Sequence, residues 1–299
     1  MPAHPNAPAK VAPFNQAVVD EFRANGGRVG GPFEGGDLLL LTTVGARSGQ
    51  QTTSPLAYLR VDGELVIVGS AGGGPRNPAW YHNLLAHPAV RVELGTETFD
   101  AIAVPAEGAE RQRLFEQVVA REPGFGDYQA RTARELPVVV LQRARWTTEP
   151  AEVTTLAAKL VEIHTWLRAQ LAELRAQADE YFAQPAGRPP GLSLRLRQHC
   201  LAFCEGLHFH HGGEEAVLLP NLEREYPHLR EAIARLRAEH GTVSRIREEL
   251  EKLLADITST GPARFRAELE RMSAELNSHL DYEEEQLLPV LESVPFPPV

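Results

Sequence analysis

Two eleven-residue stretches, HHGGEEAVLLP at residues 210–220 and HLDYEEEQLLP at residues 279–289, decide the fold of the C-terminal half of this chain. They are identical at six of eleven positions, which aligns His210 with His279 and Glu214 with Glu283. In each stretch the imidazole precedes the carboxylate by four residues, so both side chains project from one face of a helix. The repeat therefore predicts two related helical hairpins, each carrying one chelating His-Glu pair.

The rest of the C-terminal half has apolar residues at helical spacing in four separate stretches. In chain order these run from Leu156 to Leu174, Phe203 to Leu218, Leu229 to Val243, and Phe265 to Leu276. Breaks rich in proline, glycine or serine separate them at residues 184–191, 220–227 and 259–262. The pattern predicts an all-α, up-down four-helix bundle over residues 156–292.

Four histidines continue these apolar stripes and should face the bundle interior. Any one buried histidine is more often a satisfied core residue than a ligand, but six polar groups in one core would lack partners. A metal removes that cost, and mixed nitrogen and oxygen ligands favour iron or manganese over structural zinc. We therefore predict two iron ions. The alternative is that the bundle holds a single zinc ion. The predicted ligands are His164, His210, Glu214, His240, His279 and Glu283.

The other polar residues of this half have more than one interpretation. His199 lies three turns before His210 and could support the centre or act as a seventh ligand. His211 could approach the metals if the helix distorts at the following glycines, whereas His208 and His228 should face solvent. The cysteines, Cys200 and Cys204, are interpreted as inert buried thiols; their i,i+4 spacing is poor for a disulfide, so a cytoplasmic location is expected.

Residues 156–292 resemble a hemerythrin-like cation-binding domain. The resemblance rests on four motifs that follow one another in the chain: HTWL, HHGGEE, EHGTV and HLDYEEE. The resemblance implies that Glu214 and Glu283 bridge two non-haem irons and that oxygen binds at an open position. One departure lies in the third helix, where Ser244 stands four residues after His240 in place of a second histidine. This disfavours reversible oxygen storage and favours a sensing or redox-reactive role.

The N-terminal half alternates short β-type runs with turn signals. Six strands are predicted, at residues 37–45, 53–61, 64–70, 89–95, 98–104 and 137–142. The Asp62-Gly63 pair predicts a tight hairpin, and residues 14–24 and 107–121 have helical spacing. We expect an α+β two-domain chain: a disordered tail at 1–13, a small barrel at 14–146, a linker at 147–155, then the bundle.

Three loop-rich stretches of the barrel, at residues 40–58, 69–88 and 124–141, combine turns with polar donors. The Gly-x-x-Ser-Gly turn with Arg47 could hold an anion through backbone amides and a guanidinium group. A helix start at Pro78 could receive a second negative group. Taken alone, each stretch is better explained as a tight hairpin or a capped helix than as an anion site.

Together, residues 14–143 resemble the deazaflavin-dependent nitroreductase family, an FMN-binding-like split β-barrel that binds coenzyme F-420. The resemblance rests on TTVGARSG, PAWYHNLLAHP and DYQARTARELPVVVL. It implies hydride transfer to a quinone or nitro compound, with Tyr128 facing the substrate. Thr52 departs from the family pattern, which commonly has arginine there. The implied cofactor-binding residues are Ala46, Arg47, Ser48, Thr52, Thr53, Ser54, Pro55, Leu56, Ser70, Ala71, Gly72, Gly73, Trp80, Tyr81 and Asn83.

Charge and hydropathy restrict the partners. The net charge is −10, and the residues after 150 carry an excess of eight acidic groups together with eight of the 11 histidines, so nucleic acid is not expected as a partner. No apolar run is long enough to span a membrane. We expect an oxidoreductase with small-molecule substrates, oxygen species included, and a possible homodimer. The alternative is a non-enzymatic iron- or oxygen-sensing module with a vestigial cofactor domain.

Overall fold

The computed structural model describes residues 9–144, 154–183, 194–255 and 262–296. The chain divides into two compact units, Met1–Ala144 and Arg145–Val299, which are treated separately below. Within the described residues, no helix combines the length and apolarity that crossing a membrane requires. The predicted linker lies almost wholly outside the described residues.

The first unit is a closed β-barrel of six antiparallel strands with one short strand added in parallel. The strands are β1 (Lys10–Val11), β2 (Leu38–Val44), β3 (Gln51–Val61), β4 (Glu64–Val68), β5 (Ala89–Leu94), β6 (Glu97–Pro105) and β7 (Val138–Arg143). Their order is β1-β3-β2-β5-β6-β7-β4, and β4 closes the barrel by pairing with β3. All six predicted strands are therefore present.

Apolar residues on both faces of the strands explain their nearly continuous hydrophobic runs. Leu39 and Leu41 of β2 point into the barrel core, whereas Leu38 and Leu40 pack under a helix on the outside. Four helices accompany the barrel: α1 (Gln16–Ala24), α2 (Ala79–Ala86), α3 (Gly108–Arg121) and α4 (Gly124–Ala130). The predicted hairpin is confirmed, since Asp62 and Gly63 both have positive φ, at 53° and 87°.

The prediction of a disordered tail over residues 1–13 is wrong for Lys10 and Val11. Residues 1–8 lie outside the described residues, but Lys10 and Val11 pair with Thr52 and Thr53 as a parallel strand. Backbone hydrogen bonding to the free edge of β3 orders this segment despite its Pro/Ala-rich composition.

The second unit is an all-α bundle of four long helical segments. Its helices are α5 (Leu156–Ala183), α6 (Leu194–Gly213), α7 (Leu219–Glu225), α8 (Arg230–Ala255) and α9 (Pro262–Leu291). Packing contacts join α5 to α6, α6 to α8, α8 to α9 and α9 back to α5, which closes a four-sided bundle. A core of leucine, phenylalanine and methionine side chains fills the bundle, so the four predicted stripes are its buried faces.

A π-helical turn, Glu214–Leu218, joins α6 to α7. Here the Leu219 amide donates to the carbonyl of Glu214, five residues back. Pro220 follows at once and has no amide hydrogen with which to continue a regular ladder. The wider turn therefore lies beside a predicted ligand, which is a common place for such turns in proteins.

Candidate metal centre and cofactor loops

Seven metal-ligating side chains converge in the bundle, six of them the predicted ligands. They form two groups, and within each group the candidate ligand atoms lie within 4.8 Å of one another. One group contains His164, His210, Glu214 and Glu283, and the other contains His211, His240 and His279. All seven residues are buried. The arrangement therefore consists of two adjacent groups of side chains, each of which could hold a cation.

The two glutamates lie between the groups. The Oε1 atom of Glu214 is 3.2 Å from His210 Nδ1, and its Oε2 atom is 3.4 Å from His240 Nε2. The Oε2 atom of Glu283 is 3.3 Å from His164 Nε2 and 3.7 Å from His279 Nε2. Each carboxylate thus faces histidines of both groups, which is the placement required of a bridging ligand.

These close approaches leave buried polar atoms without hydrogen-bond partners. All four carboxylate oxygens of Glu214 and Glu283 lack one, as do the Nε2 atoms of His211, His240 and His279. The separations given above are short, but they do not have hydrogen-bond geometry. Uncompensated buried polar groups are costly, and cations with nitrogen and oxygen ligands would satisfy all of them. The residues present therefore fit a two-metal centre.

The protonation states also favour metal binding. Burial lowers the pKa of His210 to about 3 and that of His211 well below its ordinary value, so both imidazoles are neutral at pH 7. Burial and the charge of Glu283 raise the pKa of Glu214 well above its usual range. Burial also opposes ionisation of Glu283, but the close approach of His164 and the electrostatic influence of the neighbouring histidines outweigh it and lower its pKa to about 2.

A second layer of carboxylates fixes three of the histidine rings. The Nδ1 atom of His164 lies 2.8 Å from Glu284 Oε1, and that of His240 lies 2.8 Å from Glu215 Oε1. His279 Nδ1 lies 3.0 Å from Glu239 Oε2. When Nδ1–H donates to a carboxylate, the Nε2 lone pair points the other way, toward the metal positions.

Arginines hold these outer carboxylates in turn. Arg168 donates to Glu284 at 2.7 Å, and Arg235 donates to Glu239 at 2.8 Å. Arg237 lies 3.4 Å from Glu215. The sequence repeat already aligned Glu215 with Glu284, but their role as supports for His240 and His164 depends on contacts between helices.

His211 is the ligand candidate that the predicted set left out. It lies four residues after Leu207 and three before Glu214, so regular helical spacing already places it on the interior face. No distortion at the glycines is needed, because the wider turn begins only at Glu214. At the equivalent position of the other hairpin the chain has Leu280, so the centre is only partly twofold-symmetric.

The remaining histidines of the bundle lie outside both groups. His199 is buried, but it belongs to neither group of ligating side chains in the described residues. Neither of its ring nitrogens has a hydrogen-bond partner, and burial lowers its pKa to about 4. The surface positions predicted for His208 and His228 are confirmed.

In the barrel, the tip of the Gly-x-x-Ser-Gly turn at residues 45–49 is exposed, and the side chain of Asn83 anchors it. Asn83 of α2 accepts a hydrogen bond from the Ala46 amide at 3.1 Å and donates to Thr43 Oγ1 at 3.0 Å. Ala46, Arg47 and Ser48 are all exposed at the tip. The amide of Asn83 therefore positions the turn, while Arg47 stays available to an anion.

The Ser70–Gly74 loop has three consecutive residues with positive φ, Ala71, Gly72 and Gly73. Arg134 fastens this loop by donating to the Ser70 carbonyl at 2.8 Å and to the Gly74 carbonyl at 3.0 Å. It also donates to Asn77 Oδ1 at 2.6 Å. No local sequence signal marks Arg134, because its role depends on contacts about sixty residues away in the chain.

Helix α4 packs directly against this loop. A Cβ atom at Gly73 would come within 2.9 Å of the Tyr128 carbonyl oxygen, so only glycine permits the approach. The half-buried Tyr128 ring packs edge-to-face with Phe125, at 6.1 Å between ring centroids. Tyr128 is thereby placed beside the loop predicted to lie along the deazaflavin.

Other predicted cofactor residues occupy mixed environments. Trp80 is part of the barrel core, and Tyr81 is half-buried beside it. The Thr53 hydroxyl is buried and hydrogen-bonds that of Thr42 at 2.7 Å. Thr52 pairs with Lys10 of β1, which places a cationic residue next to the position that lacks the family's arginine. Ser54, Pro55 and Leu56 follow along β3 and are half-buried.

Comparison with known proteins identifies the barrel. A family model described as F420H(2)-dependent quinone reductase matches residues 15–143. Such a reductase from Mycobacterium tuberculosis is 40% identical over 126 residues, which cover 85% of that protein and 41% of this chain. The chain belongs to this reductase family. Its first unit is an oxidoreductase domain of the deazaflavin-dependent kind, as the sequence predicted.

The second unit is a hemerythrin-like domain, since the model described as Hemerythrin HHE cation binding domain matches residues 155–291. Among solved structures, an F420-H2-dependent reductase is 36% identical, covering 94% of that chain and 36% of this one, with a TM-score of 0.33. Another, described as a domain-swapped dimer, is 31% identical and covers 95% of that chain and 43% of this one, with a TM-score of 0.35.

Proposed function

We propose that this protein combines a quinone reductase using reduced coenzyme F-420 with a di-iron centre that reacts with oxygen, peroxide or nitric oxide. The proposal of a di-iron centre rests on Glu214 and Glu283, because each of these carboxylates faces histidines of both groups. Imidazole and carboxylate together suit iron, whereas structural zinc sites rarely use seven ligands.

The metal ligands divide unequally between the two positions. His211, His240 and His279 would hold one, while His164 and His210 would hold the other. Glu214 and Glu283 are close enough to both to serve either position. The position with fewer imidazoles has more room for an external ligand. Glu215, Glu239 and Glu284 keep the imidazoles oriented and raise their basicity.

For the barrel, the acceptor is a quinone, with a nitro compound as the second candidate. When bound, reduced deazaflavin supplies a hydride, so the protein's task is to bind, orient and exclude water. Arg47 and Lys10 would attract the anionic tail of the cofactor, and the Ser70–Gly73 loop would lie along its ring. Tyr128, beside that loop, would contact the acceptor.

The first test is iron content and turnover by the full chain. Anaerobically purified protein should carry about two irons, in line with its two ligand groups, and should oxidise reduced F-420 repeatedly when menadione is added. His279→Ala should lose iron but keep quinone reduction, because its side chain lies in the bundle. Arg47→Ala should weaken F-420 binding and leave iron unchanged.

A sensor would behave differently, binding oxygen or iron without repeated consumption of reduced F-420. Electron exchange between the two centres is a separate question. It would be supported if reduced F-420, under anaerobic conditions, changed the iron absorption spectrum of the full chain but not that of the Arg47→Ala variant. A cytoplasmic location agrees with the buried free thiols of Cys200 and Cys204. Light scattering would test the expected homodimer.

A further inference from the structure

Arg131, at the end of helix α4 in the barrel, lies against both the Tyr128 ring and the Ser70–Gly74 loop. Its Cζ atom is 5.7 Å from the centroid of the Tyr128 ring, which is within the range of a cation–π contact. A Cβ atom at Gly73 would come within 3.0 Å of the Cβ atom and 3.3 Å of the Cδ atom of Arg131, so the aliphatic part of this side chain packs on the loop. The guanidinium group is therefore held beside the aromatic ring that is proposed to contact the acceptor.

The guanidinium group of Arg131 is free to bind a ligand. It is exposed, and among the described residues its one recorded contact is with the Tyr128 ring. Four other arginines of the barrel each lie 2.5–3.1 Å from a carboxylate oxygen: Arg23, Arg91, Arg113 and Arg143. A guanidinium group carries several N–H donors in a planar fork, and those of Arg131 are left for an external oxygen atom.

Two more guanidinium groups adjoin the same stretch of chain, and both are bound by neutral oxygen atoms. Arg111 is buried and donates to the Leu136 carbonyl at 2.8 Å and to Gln129 Oε1 at 3.1 Å. Arg134 donates to two carbonyl groups of the Ser70–Gly74 loop and to one side-chain amide oxygen. In the part of the chain that the structure describes, neither has a carboxylate partner. Their positive charge is therefore not neutralised locally, and it adds to the positive potential around Arg131.

Quinone reduction creates negative charge on an oxygen atom. A hydride that adds to a quinone leaves an electron pair on a carbonyl oxygen, and the hydroquinone anion that forms then takes a proton from solvent. The hydride comes from the reduced cofactor. A guanidinium group already fixed beside this oxygen stabilises the charge as it develops in the transition state. Arg111 and Arg134 direct their donors at protein oxygens, whereas Arg131 does not, so Arg131 is the group suited to this role.

We propose that Arg131 binds the acceptor of the reductase domain and stabilises the oxyanion that hydride transfer leaves on a quinone. The assignment rests on the proposed function of the barrel and on the position proposed there for Tyr128. It makes Arg131 a catalytic residue, because its guanidinium group would touch the reacting oxygen. Ionised hydroxyquinones, which carry a permanent negative charge on such an oxygen, should therefore bind at the same place.

Equilibrium dialysis of 2-hydroxy-1,4-naphthoquinone against the full chain loaded with oxidised F-420 tests this, because the probe is a quinone-shaped oxyanion at neutral pH. The wild type should bind it saturably. Arg131→Met keeps an aliphatic side chain against Gly73 but removes the charge, and should bind it about tenfold more weakly or worse. Arg131→Lys should keep part of the affinity. Arg113→Met, which removes a guanidinium group already paired with Asp62, is the matched control and should bind the probe as the wild type does.

Turnover of menadione by Arg131→Met should fall by a similar factor, through kcat rather than KM, because the charge appears only in the transition state. Its dissociation constant for F-420 should stay unchanged.

The outcomes separate this role from the function on which it rests. Weaker F-420 binding by Arg131→Met would mean that the guanidinium group serves the anionic tail of the cofactor, and would overturn the assignment. No probe binding by the wild type, or equal probe affinity in the wild type and in Arg131→Met, would overturn the role of Arg131 alone. A wild type that did not oxidise reduced F-420 with menadione would overturn the proposed function. If Arg131→Met fails to fold, Arg131→Gln also removes the charge and decides the question by the same dialysis.

Discussion

His211 and His240 stack face to face in the metal centre, with 4.2 Å between ring centroids and 18° between ring planes. His279 packs edge-on against both rings, 5.1 Å from His211 and 4.7 Å from His240. Neutral imidazoles can adopt this arrangement, whereas charged ones would repel one another. The Nε2 atoms of all three rings lack hydrogen-bond partners, so the three side chains together could hold one cation.

Replacing His211 should remove one of the two metals. We expect His211→Ala to lower iron from about two per chain to about one, because the group of His164, His210, Glu214 and Glu283 keeps all its ligands. Elemental analysis after reconstitution checks this. His208→Ala, an exposed position on the same helix, should keep both irons. Full iron content in His211→Ala would remove His211 from the ligand set.

The outer carboxylates should tune affinity without being ligands. Glu239→Gln weakens the charge-assisted contact to His279 Nδ1, now 3.0 Å long. Changes at such supporting residues typically cost about 10- to 100-fold in metal affinity. Competition with a chromophoric chelator measures the effect. Glu231→Gln, on the exposed side of the same helix, is the control; equal affinity in both variants would mean that Glu239 does not support the centre.

Metal binding should release protons and become weaker in acid. Burial, together with the charge of Glu283, raises the pKa of Glu214, so this group holds a proton well above its usual pH range and must lose it to ligate. His210, with a pKa of about 3, is already neutral at pH 7 and contributes no proton. Affinity should therefore fall as pH decreases toward the raised pKa of Glu214 and below it. Calorimetry in buffers of different ionisation enthalpy counts the protons over a series of pH values, and a metal affinity that did not fall in acid would contradict this assignment.

In the barrel, Arg134 should control the order of the Ser70–Gly74 loop. Its guanidinium donates three hydrogen bonds to the loop and to Asn77, so Arg134→Ala should destabilise this region by about 2 kcal/mol. Hydrogen exchange of residues 69–77 should accelerate, and F-420 affinity should fall. Arg113→Ala breaks only an exposed pair with Asp62 and should leave hydrogen exchange of this loop unchanged. Unchanged exchange in Arg134→Ala would show that the loop is held by other contacts.

Features that repeat at short range in the sequence could be predicted. Short β-type runs bounded by turn signals located the six barrel strands, and the Asp62-Gly63 pair located a hairpin whose two turn residues must both take positive φ. Period 3.6 located the bundle helices, and four-residue spacing paired His210 with Glu214 and His279 with Glu283. All of these signals come from residues that are only a few positions apart in the sequence.

Features that depend on contacts between distant segments were missed. Glu239 reaches His279 from a residue 40 positions earlier, and Arg134 reaches Ser70 from 64 positions later. Nothing local marks either residue. His211 is different, because its spacing from Leu207 and Glu214 satisfies the same helical rule that selected His210. The same i,i+3 and i,i+4 spacing therefore predicts that His211, like its neighbour His210, faces the bundle interior.

The central claim is that two iron ions share Glu214 and Glu283, and one measurement tests it most directly. This is Mössbauer spectroscopy, with elemental analysis, on the air-oxidised full chain reconstituted with iron-57. The account predicts about two irons per chain, as the two ligand groups require, in a coupled diferric pair without a net spin. Isolated, uncoupled ferric ions, or zinc in place of iron after reconstitution has failed, would contradict it.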